Sequence, residues 1–86
     1  MKIVRVNAIW CPACIVMKKI WKKIEEQHSN IEYIDLDYDI DEEEIEPLKV
    51  GTLLPVAIFY KNDVEIQRLN GEKTEEEILN IIKEVL

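Results

Sequence analysis

The two cysteines of this 86-residue chain stand three residues apart in the segment AIWCPACIVM, which runs from Ala8 to Met17. Two thiols at this spacing can exchange with a disulfide, bind a soft metal ion, or close a structural disulfide. An apolar run precedes the pair and a helical pattern of apolar residues follows it. The strand and the helix that we expect on either side therefore decide which chemistry the two sulfurs support.

The pair falls where the first helix begins. We expect Cys11 to cap that helix and Pro12 to take its first position, where the missing N–H of proline costs nothing. Unpaired amides and the positive end of the helix dipole would then favour the thiolate form of Cys11. Cys14 would lie one turn further in and be shielded, while Cys11 is exposed and within bonding reach of it. This arrangement predicts thiol–disulfide exchange in two steps, in which Cys11 attacks and Cys14 resolves the mixed disulfide.

Composition limits the class of protein. A chain of 86 residues with 48% hydrophobic content has room for one domain, residues 1–86. Its 18 acidic and 11 basic residues give a net charge of −7, which disfavours nucleic acid and anionic membranes as partners. Arg5 and Asn7 interrupt the opening apolar run, so a signal peptide is not indicated and we expect a cytoplasmic protein. A reducing compartment and so short a loop between the cysteines argue against a structural disulfide.

Hydrophobic periodicity predicts alternating strands and helices in the order β-α-β-α-β-β-α. The predicted strands cover Lys2–Ile9, Ile31–Asp39, Pro55–Tyr60 and Val64–Leu69. The predicted helices run from Pro12 to about His28, from Asp41 to the limit set by Pro47, and from Thr74 onward.

Local signals and connection rules fix how these elements join. Two capping-box patterns, Asp41 with Glu44 and Thr74 with Glu77, mark the starts of the second and third helices. The turn Lys61–Asp63 joins the last two strands as a hairpin. The first β-α-β unit requires a parallel strand pair and the hairpin adds antiparallel strands. We therefore expect a mixed four-stranded sheet flanked by helices.

Three separated features resemble the thioredoxin superfamily: the segment WCPAC (Trp10–Cys14), the segment LPVAIFYKND (Leu54–Asp63), and Gly71. The form is short, without the extra leading strand and helix of full thioredoxins. The resemblance implies a thioredoxin-like fold over nearly the whole chain, no bound cofactor, and a redox-active Cys11–Cys14 disulfide. It also implies disulfide-containing protein substrates, and a flavin-dependent thioredoxin reductase as a candidate electron donor.

The resemblance also assigns roles to the residues around the cysteines. Cys11 takes the place of the nucleophile and Cys14 that of the resolving cysteine. Trp10 matches the tryptophan that packs beside the motif. Pro55 matches a cis-proline that lies against the disulfide and leaves the backbone of Leu54 free to pair with an extended substrate.

Further features of the docking side follow from the same resemblance. Gly71 matches a glycine that lets the substrate approach from the opposite side. Ile15 stands where many thioredoxins have a charged residue. An exposed Ile15 beside Trp10 and Leu54 would enlarge an apolar docking patch for proteins.

Departures from the family pattern carry information too. Pro12 and Ala13 stand between the cysteines, where thioredoxins usually have Gly-Pro, an order similar to that of many glutaredoxins. Arg5 stands where thioredoxins commonly bury an aspartate, and Asp35 aligns with the family's lysine on the next strand. We hypothesise an Arg5–Asp35 pair in which a buried Arg5 stabilises thiolates and makes the disulfide a better oxidant. The alternative is a solvent-facing Arg5 without a redox effect.

Other interpretations remain open on the sequence alone. One is a carrier of Cu(I) or Zn(II) that binds the metal through Cys11 and Cys14. Another is a binding module that uses the fold without catalysis. The segment Asp35–Glu46 has carboxylates at EF-hand spacing, but Ile40 replaces the glycine that such a loop needs, so we expect no calcium site. We expect a monomer, since no extra apolar surface is evident.

Overall fold

The structure of the protein, a computed structural model, describes residues 1–85. Within these residues the chain forms four strands and three α-helices. In chain order they are β1 (Lys2–Asn7), α1 (Pro12–Gln27), β2 (Glu32–Asp37), α2 (Glu42–Ile45), β3 (Val56–Lys61), β4 (Val64–Asn70) and α3 (Glu75–Val85). A 3-10 turn over Glu46–Leu48 extends α2. The predicted order of elements is confirmed, and the predicted strand ends agree with the observed ones to within two residues.

The four strands form one mixed sheet in the order β2-β1-β3-β4. β1 pairs in parallel with β2 and antiparallel with β3, and β3 and β4 form an antiparallel hairpin. The hairpin turns at Asn62 and Asp63, which both have positive φ, as two-residue hairpin loops require. The predicted mixed four-stranded sheet is confirmed.

Side chains alternate between the two faces of the sheet and form two apolar clusters. The cluster under α1 and α3 contains Ile3, Met17, Trp21, Ile24, Ile31, Ala57, Phe59, Ile78 and Ile82. The cluster that includes Ile45 of α2 contains Val4, Val6, Ala8, Leu54, Val56, Ile58 and both cysteines. The cysteines are therefore anchored in the core at the start of α1.

The two predicted capping boxes have different outcomes. At α3 the backbone N–H of Glu77 donates to Thr74 Oγ1 at 3.1 Å, and the N–H of Thr74 donates to the Glu77 carboxylate at 3.3 Å. The box predicted at Asp41 is wrong, since Asp41 caps α2 without a side-chain bond. Its carboxylate instead accepts a 2.7 Å bond from the backbone N–H of Asp37 and closes the turn after β2.

Across residues 1–85, no helix combines the length and the apolar character that crossing a bilayer requires.

Candidate active site

Cys11 caps helix α1, as predicted. Its backbone is extended, with φ −93° and ψ 110°, and Pro12 occupies the start of the helix. The backbone N–H of Cys14 donates to the Sγ of Cys11 at 3.2 Å. A cap of this kind satisfies an N–H that the helix leaves unpaired. It also gives the Cys11 sulfur a donor at the position where negative charge would reside.

Both cysteines are free thiols, and both are buried. Cys14 is 3% exposed, as its predicted shielding required, but Cys11 is only 5% exposed. The predicted exposure of Cys11 is wrong because Cys11 packs with Ala8, Leu54 and Val56 in one apolar cluster. Only a small part of the Cys11 residue meets solvent.

Cys14 differs from an ordinary thiol in its acidity. Burial, and after it the hydrogen bond with Cys11, raise the pKa of Cys14 to about 11. Cys14 therefore keeps its proton at neutral pH and must lose it when it acts as a nucleophile.

The loop before β3 lies against the cysteines. The Leu54–Pro55 peptide bond is cis, as the resemblance implied. Leu54 belongs to the same buried cluster as Cys11 and Cys14. The cis-proline loop and the start of α1 therefore meet in the core.

Gly71 closes this loop from the end of β4. Its backbone N–H donates to the carbonyl oxygen of Pro55 at 2.8 Å. Its φ of +83° lies in the left-handed region, and an added Cβ would lie 3.4 Å from the side chain of Leu53. Both the backbone conformation and the neighbouring leucine favour glycine here.

Four exposed apolar side chains, which we call the apolar rim, belong to the segments that form the site: Ile9, Trp10, Ile15 and Leu53. The predicted patch included Leu54, and that assignment is wrong because Leu54 is 5% exposed whereas Leu53 is 63% exposed. Ile9, which the sequence pattern did not single out, is 84% exposed. Leu53 and Leu54 lie in a bend, so no strand-like alternation in the sequence distinguishes the exposed leucine from the buried one.

Trp10 is held beside the motif by two contacts with the turn after β2. Its Nε1–H donates to the carboxylate of Asp39 at 2.7 Å. Its ring meets Tyr38 edge to face, with 6.0 Å between the ring centroids. These contacts fix a half-exposed indole next to Cys11.

Arg5 is buried, at 7% exposure, and it pairs with Asp35. The parallel register of β1 and β2 sets the two residues side by side. Nε and Nη2 of Arg5 donate to the two carboxylate oxygens of Asp35 at 2.7 and 2.8 Å. The hypothesised pair is thus present, and a solvent-facing Arg5 is excluded.

A second carboxylate on Arg5 was not anticipated. Nη1 of Arg5 donates to Glu25 at 2.9 Å. The guanidinium carbon lies 5.1 Å from the ring centroid of Trp21 and 5.0 Å from that of Tyr33. Burial alone would lower the pKa of Arg5, but the hydrogen bonds that Arg5 donates to Asp35 and Glu25 outweigh it and raise that pKa. Glu25 follows Trp21 by one turn of α1, and this helical spacing is the signal that could have revealed it.

Two open clefts, each of about 350 Å³, are lined in part by Cys14. One is also lined by Arg5, Glu25 and Asp35, which we call the charge cluster. The other is lined by Ile9, Ile15 and the carboxylate-bearing segment Asp35–Asp37, among others. Cys14 is therefore the cysteine that adjoins the ionised groups.

Within residues 1–85, no group of three or more His, Cys, Asp or Glu side chains is arranged to hold a metal ion. In the segment Asp35–Glu46, the carboxylate of Asp37 instead accepts from the backbone N–H groups of Asp39 and Ile40. The carboxylate of Asp37 thus stabilises the turn that follows β2.

The Thioredoxin family model matches residues 1–84. Solved structures of thioredoxins share the fold. Thioredoxin-2 of the malaria parasite superposes with a TM-score of 0.90 at 23% identity, covering 96% of this chain and 81% of that chain. The germline-specific thioredoxin Deadhead of Drosophila melanogaster gives 0.89 at 22% identity, over 99% of this chain and 80% of that chain. The thioredoxin of Fasciola hepatica gives 0.88 at 24% identity, over 96% and 78%.

Among curated proteins, the matches cover a smaller part of this chain. Glutaredoxin-3 of Mus musculus is 25% identical over 64 residues, which are 74% of this chain and 19% of that protein. Glutaredoxin-3 of Bos taurus is 27% identical over the same shares. The chain thus spans about a fifth of the length of these curated relatives.

Proposed function

This chain belongs to the thioredoxin family, and on that premise we propose that it is a thiol–disulfide oxidoreductase that reduces protein disulfides through Cys11 and Cys14. The single observation that carries the proposal is the 3.2 Å bond from the N–H of Cys14 to the Sγ of Cys11 at the start of α1. It joins the capping sulfur of Cys11 to the backbone of Cys14, and a side-chain hydrogen bond links the two thiols as well. A nucleophile and a resolving thiol need this proximity.

In the first step, the thiolate of Cys11 attacks one sulfur of a substrate disulfide. A mixed disulfide forms between Cys11 and the substrate, and the other substrate sulfur leaves as a thiolate that takes a proton from water. The N–H of Cys14, at the start of the helix, donates to the Cys11 sulfur that makes the attack.

In the second step, Cys14 loses its proton and attacks the Sγ of Cys11. The Cys11–Cys14 disulfide forms, the bond from Cys11 to the substrate breaks, and the second substrate thiolate leaves and is protonated. The substrate gains two electrons and two protons, and the cysteine pair loses them. Because the pKa of Cys14 is about 11, the loss of this proton is the demanding part of the step.

The surroundings of the pair suit an extended protein segment. The apolar rim offers exposed side chains for docking, and a protein substrate would cover them. We propose that the backbone of Leu54 pairs with the substrate, that Pro55 lies against the disulfide, and that Gly71 permits close approach. Trp10, held by Asp39, would flank the mixed disulfide.

The cellular setting extends the same proposal. A flavin-dependent thioredoxin reductase would return electrons to the Cys11–Cys14 disulfide, and the protein would act as a cytoplasmic monomer without a bound cofactor. The reductase and the absence of a bound cofactor are what the family resemblance implies.

Reduction of insulin by dithiothreitol tests the proposal. The unsubstituted chain is expected to accelerate insulin precipitation, and Cys11→Ser to abolish the acceleration. Cys14→Ser is the matched variant, since it also removes one thiol but keeps the first step, so it should accumulate a mixed disulfide. Metal analysis of the purified protein runs beside the assay. Full activity in Cys11→Ser, or stoichiometric copper or zinc on an inactive protein, would contradict the proposal.

A further inference from the structure

We propose that this protein prefers substrate disulfides flanked by a lysine or an arginine, and that an open groove beside Cys14 receives the basic side chain. This groove, which we call the Cys14 groove, measures about 350 Å³ and lies between the start of α1 and the carboxyl ends of β1 and β2. The lining residues that carry the proposal are Ile9, Ile15, Lys18, Asp37 and Asp41. The inference rests on the proposed function, because it concerns which disulfides that reaction accepts.

The first support is that the Cys14 groove is continuous with the apolar rim. Ile9 and Ile15 belong to both, and both are exposed. Cys14 itself lines the groove, one helical turn from Cys11. A protein segment that docks on the apolar rim and reaches Cys11 therefore passes the mouth of the groove, where one of its side chains can enter.

The second support is the mixed lining of the groove. Ile9 and Ile15 supply an apolar wall, and Asp37 and Asp41 supply carboxylates. Lysine and arginine have the same division, since an apolar stem carries a charged end. A basic side chain can pack its stem against the isoleucines while its charged end meets a carboxylate. A glutamate or a wholly apolar side chain matches only one part of this lining.

The third support is that Asp37 and Asp41 keep their charge available. Two backbone N–H groups donate to Oδ1 of Asp37, at 2.9 and 3.1 Å, and the N–H of Asp37 donates to Oδ2 of Asp41 at 2.7 Å. These bonds hold the two half-buried carboxylates in place without pairing them with a cation. Within residues 1–85 neither forms a salt bridge, whereas Asp35 in the same groove is paired with Arg5.

The fourth support is the distribution of charge around the groove. From Asp35 to Glu46 the chain has eight carboxylates and no lysine or arginine. A field of one sign along a docking surface attracts segments of the opposite sign and speeds their association. Among the lining residues that the structure describes, Lys18 is the one cation, and it opposes this attraction.

Single-turnover reduction of matched peptides tests the preference. Three synthetic peptides each carry one intramolecular disulfide and differ only in the residues directly before and after the disulfide-bonded segment, which are lysine, glutamine or glutamate. Excess peptide is mixed with the reduced protein at low ionic strength. The reaction is quenched with acid, and the Cys11–Cys14 disulfide that has formed is measured by alkylation and mass spectrometry.

The lysine peptide is expected to react about two- to fivefold faster than the glutamine peptide, which is the size of effect that a solvent-exposed ion pair produces. The glutamate peptide should react more slowly than either. In about 0.5 M salt the three rates should converge, because the added ions screen the charges.

Asp37→Asn and Asp41→Asn test whether the groove causes the preference. Asparagine keeps a carbonyl oxygen that can accept the backbone hydrogen bonds and removes only the charge. Each variant should lower the ratio of the lysine-peptide rate to the glutamine-peptide rate by about twofold. The matched control is Asp63→Asn, which removes the same charge from a 95% exposed side chain in the β3–β4 turn, at the opposite end of the sheet. Equal ratios in Asp37→Asn, Asp41→Asn and Asp63→Asn would overturn the inference.

Lys18→Gln supplies the opposite sign and leaves the turn after β2 untouched. Its ratio of lysine-peptide to glutamine-peptide rates should exceed that of Lys19→Gln, which removes the next lysine of α1, outside the lining of the groove. If the two asparagine variants do not fold, this pair still decides. A ratio in Lys18→Gln no higher than that in Lys19→Gln would overturn the inference.

The peptide rates also separate this inference from the proposed function. Equal rates for the three peptides, or a faster glutamate peptide, would overturn the preference while the reduction of disulfides stands. If none of the peptides is reduced, the proposed function is overturned and the preference with it.

Discussion

Gly71→Ala is expected to destabilise the protein at the loop that lies against the cysteines. Gly71 has a φ of +83°, and a methyl group there would meet the Leu53 side chain at 3.4 Å. An L-residue in the left-handed region costs about 1–2 kcal/mol. The lower entropy of the unfolded alanine chain offsets about 0.4–1 kcal/mol of that cost. The expected net loss in free energy of unfolding is therefore about 1 kcal/mol, or about 4–8 °C in the melting temperature of a domain of this size.

Thermal unfolding followed by circular dichroism measures this loss, and Gly51→Ala is its matched control. A Cβ at Gly51 would have no neighbour within 4 Å, and the backbone there is not left-handed. Gly51→Ala should leave the melting temperature unchanged or raise it slightly. If Gly71→Ala melts at the same temperature as Gly51→Ala, the left-handed backbone and the contact with Leu53 do not carry the expected cost in stability.

Three further predictions concern Cys14, the apolar rim and the cap of α3. The pKa of Cys14 is raised from 9.0 to about 11 in the folded state, so the stability that the protonated thiol contributes is complete below pH 9 and is lost as the pH rises toward 11. Urea unfolding of the reduced protein should show this fall in the free energy of unfolding. The fall should be absent in Cys14→Ser. Leu53→Ser should slow the reduction of insulin more than the reduction of a small aromatic disulfide, because only a protein substrate would cover the apolar rim. Val64, in the β3–β4 hairpin, is equally exposed, and Val64→Ser should slow neither reaction. Equal slowing of insulin reduction by the two variants would count against docking at the apolar rim. Thr74→Ala should lower the free energy of unfolding by about 1 kcal/mol, because it removes the hydrogen bond that the backbone N–H of Glu77 donates to Thr74. The same substitution at the exposed Thr52 should leave the free energy of unfolding unchanged. An unchanged free energy of unfolding in Thr74→Ala would contradict the capping box.

Local features of this fold are readable from the sequence, because a few neighbouring residues determine them. Thr74 and Glu77 meet within one helical turn, so their pattern alone predicts the cap. The same pattern at Asp41 forms no capping box, because the carboxylate of Asp41 instead accepts a hydrogen bond from the backbone N–H of Asp37, at the end of β2. A pattern predicts a bond only where no closer partner competes for the same oxygen.

Features that depend on packing were harder to predict. The buried state of Cys11 depends on Leu54 and Val56, which come from a loop and a strand far along the chain. The Arg5–Asp35 pair could be anticipated because parallel strands with known alignment set the two residues side by side. Glu25 was missed, since its contact depends on how α1 lies across the sheet, and strand register says nothing about that rotation.

The exchange proposed for Cys11 and Cys14 is tested most directly by equilibrating the protein in glutathione buffers of increasing oxidising power, with acid quenching, alkylation and mass spectrometry. The expected result is one two-electron transition from dithiol to an intramolecular Cys11–Cys14 disulfide, and accumulation of a glutathione adduct at Cys11 in Cys14→Ser. Independent glutathione adducts on the two cysteines, without an intramolecular disulfide at any potential, would contradict it.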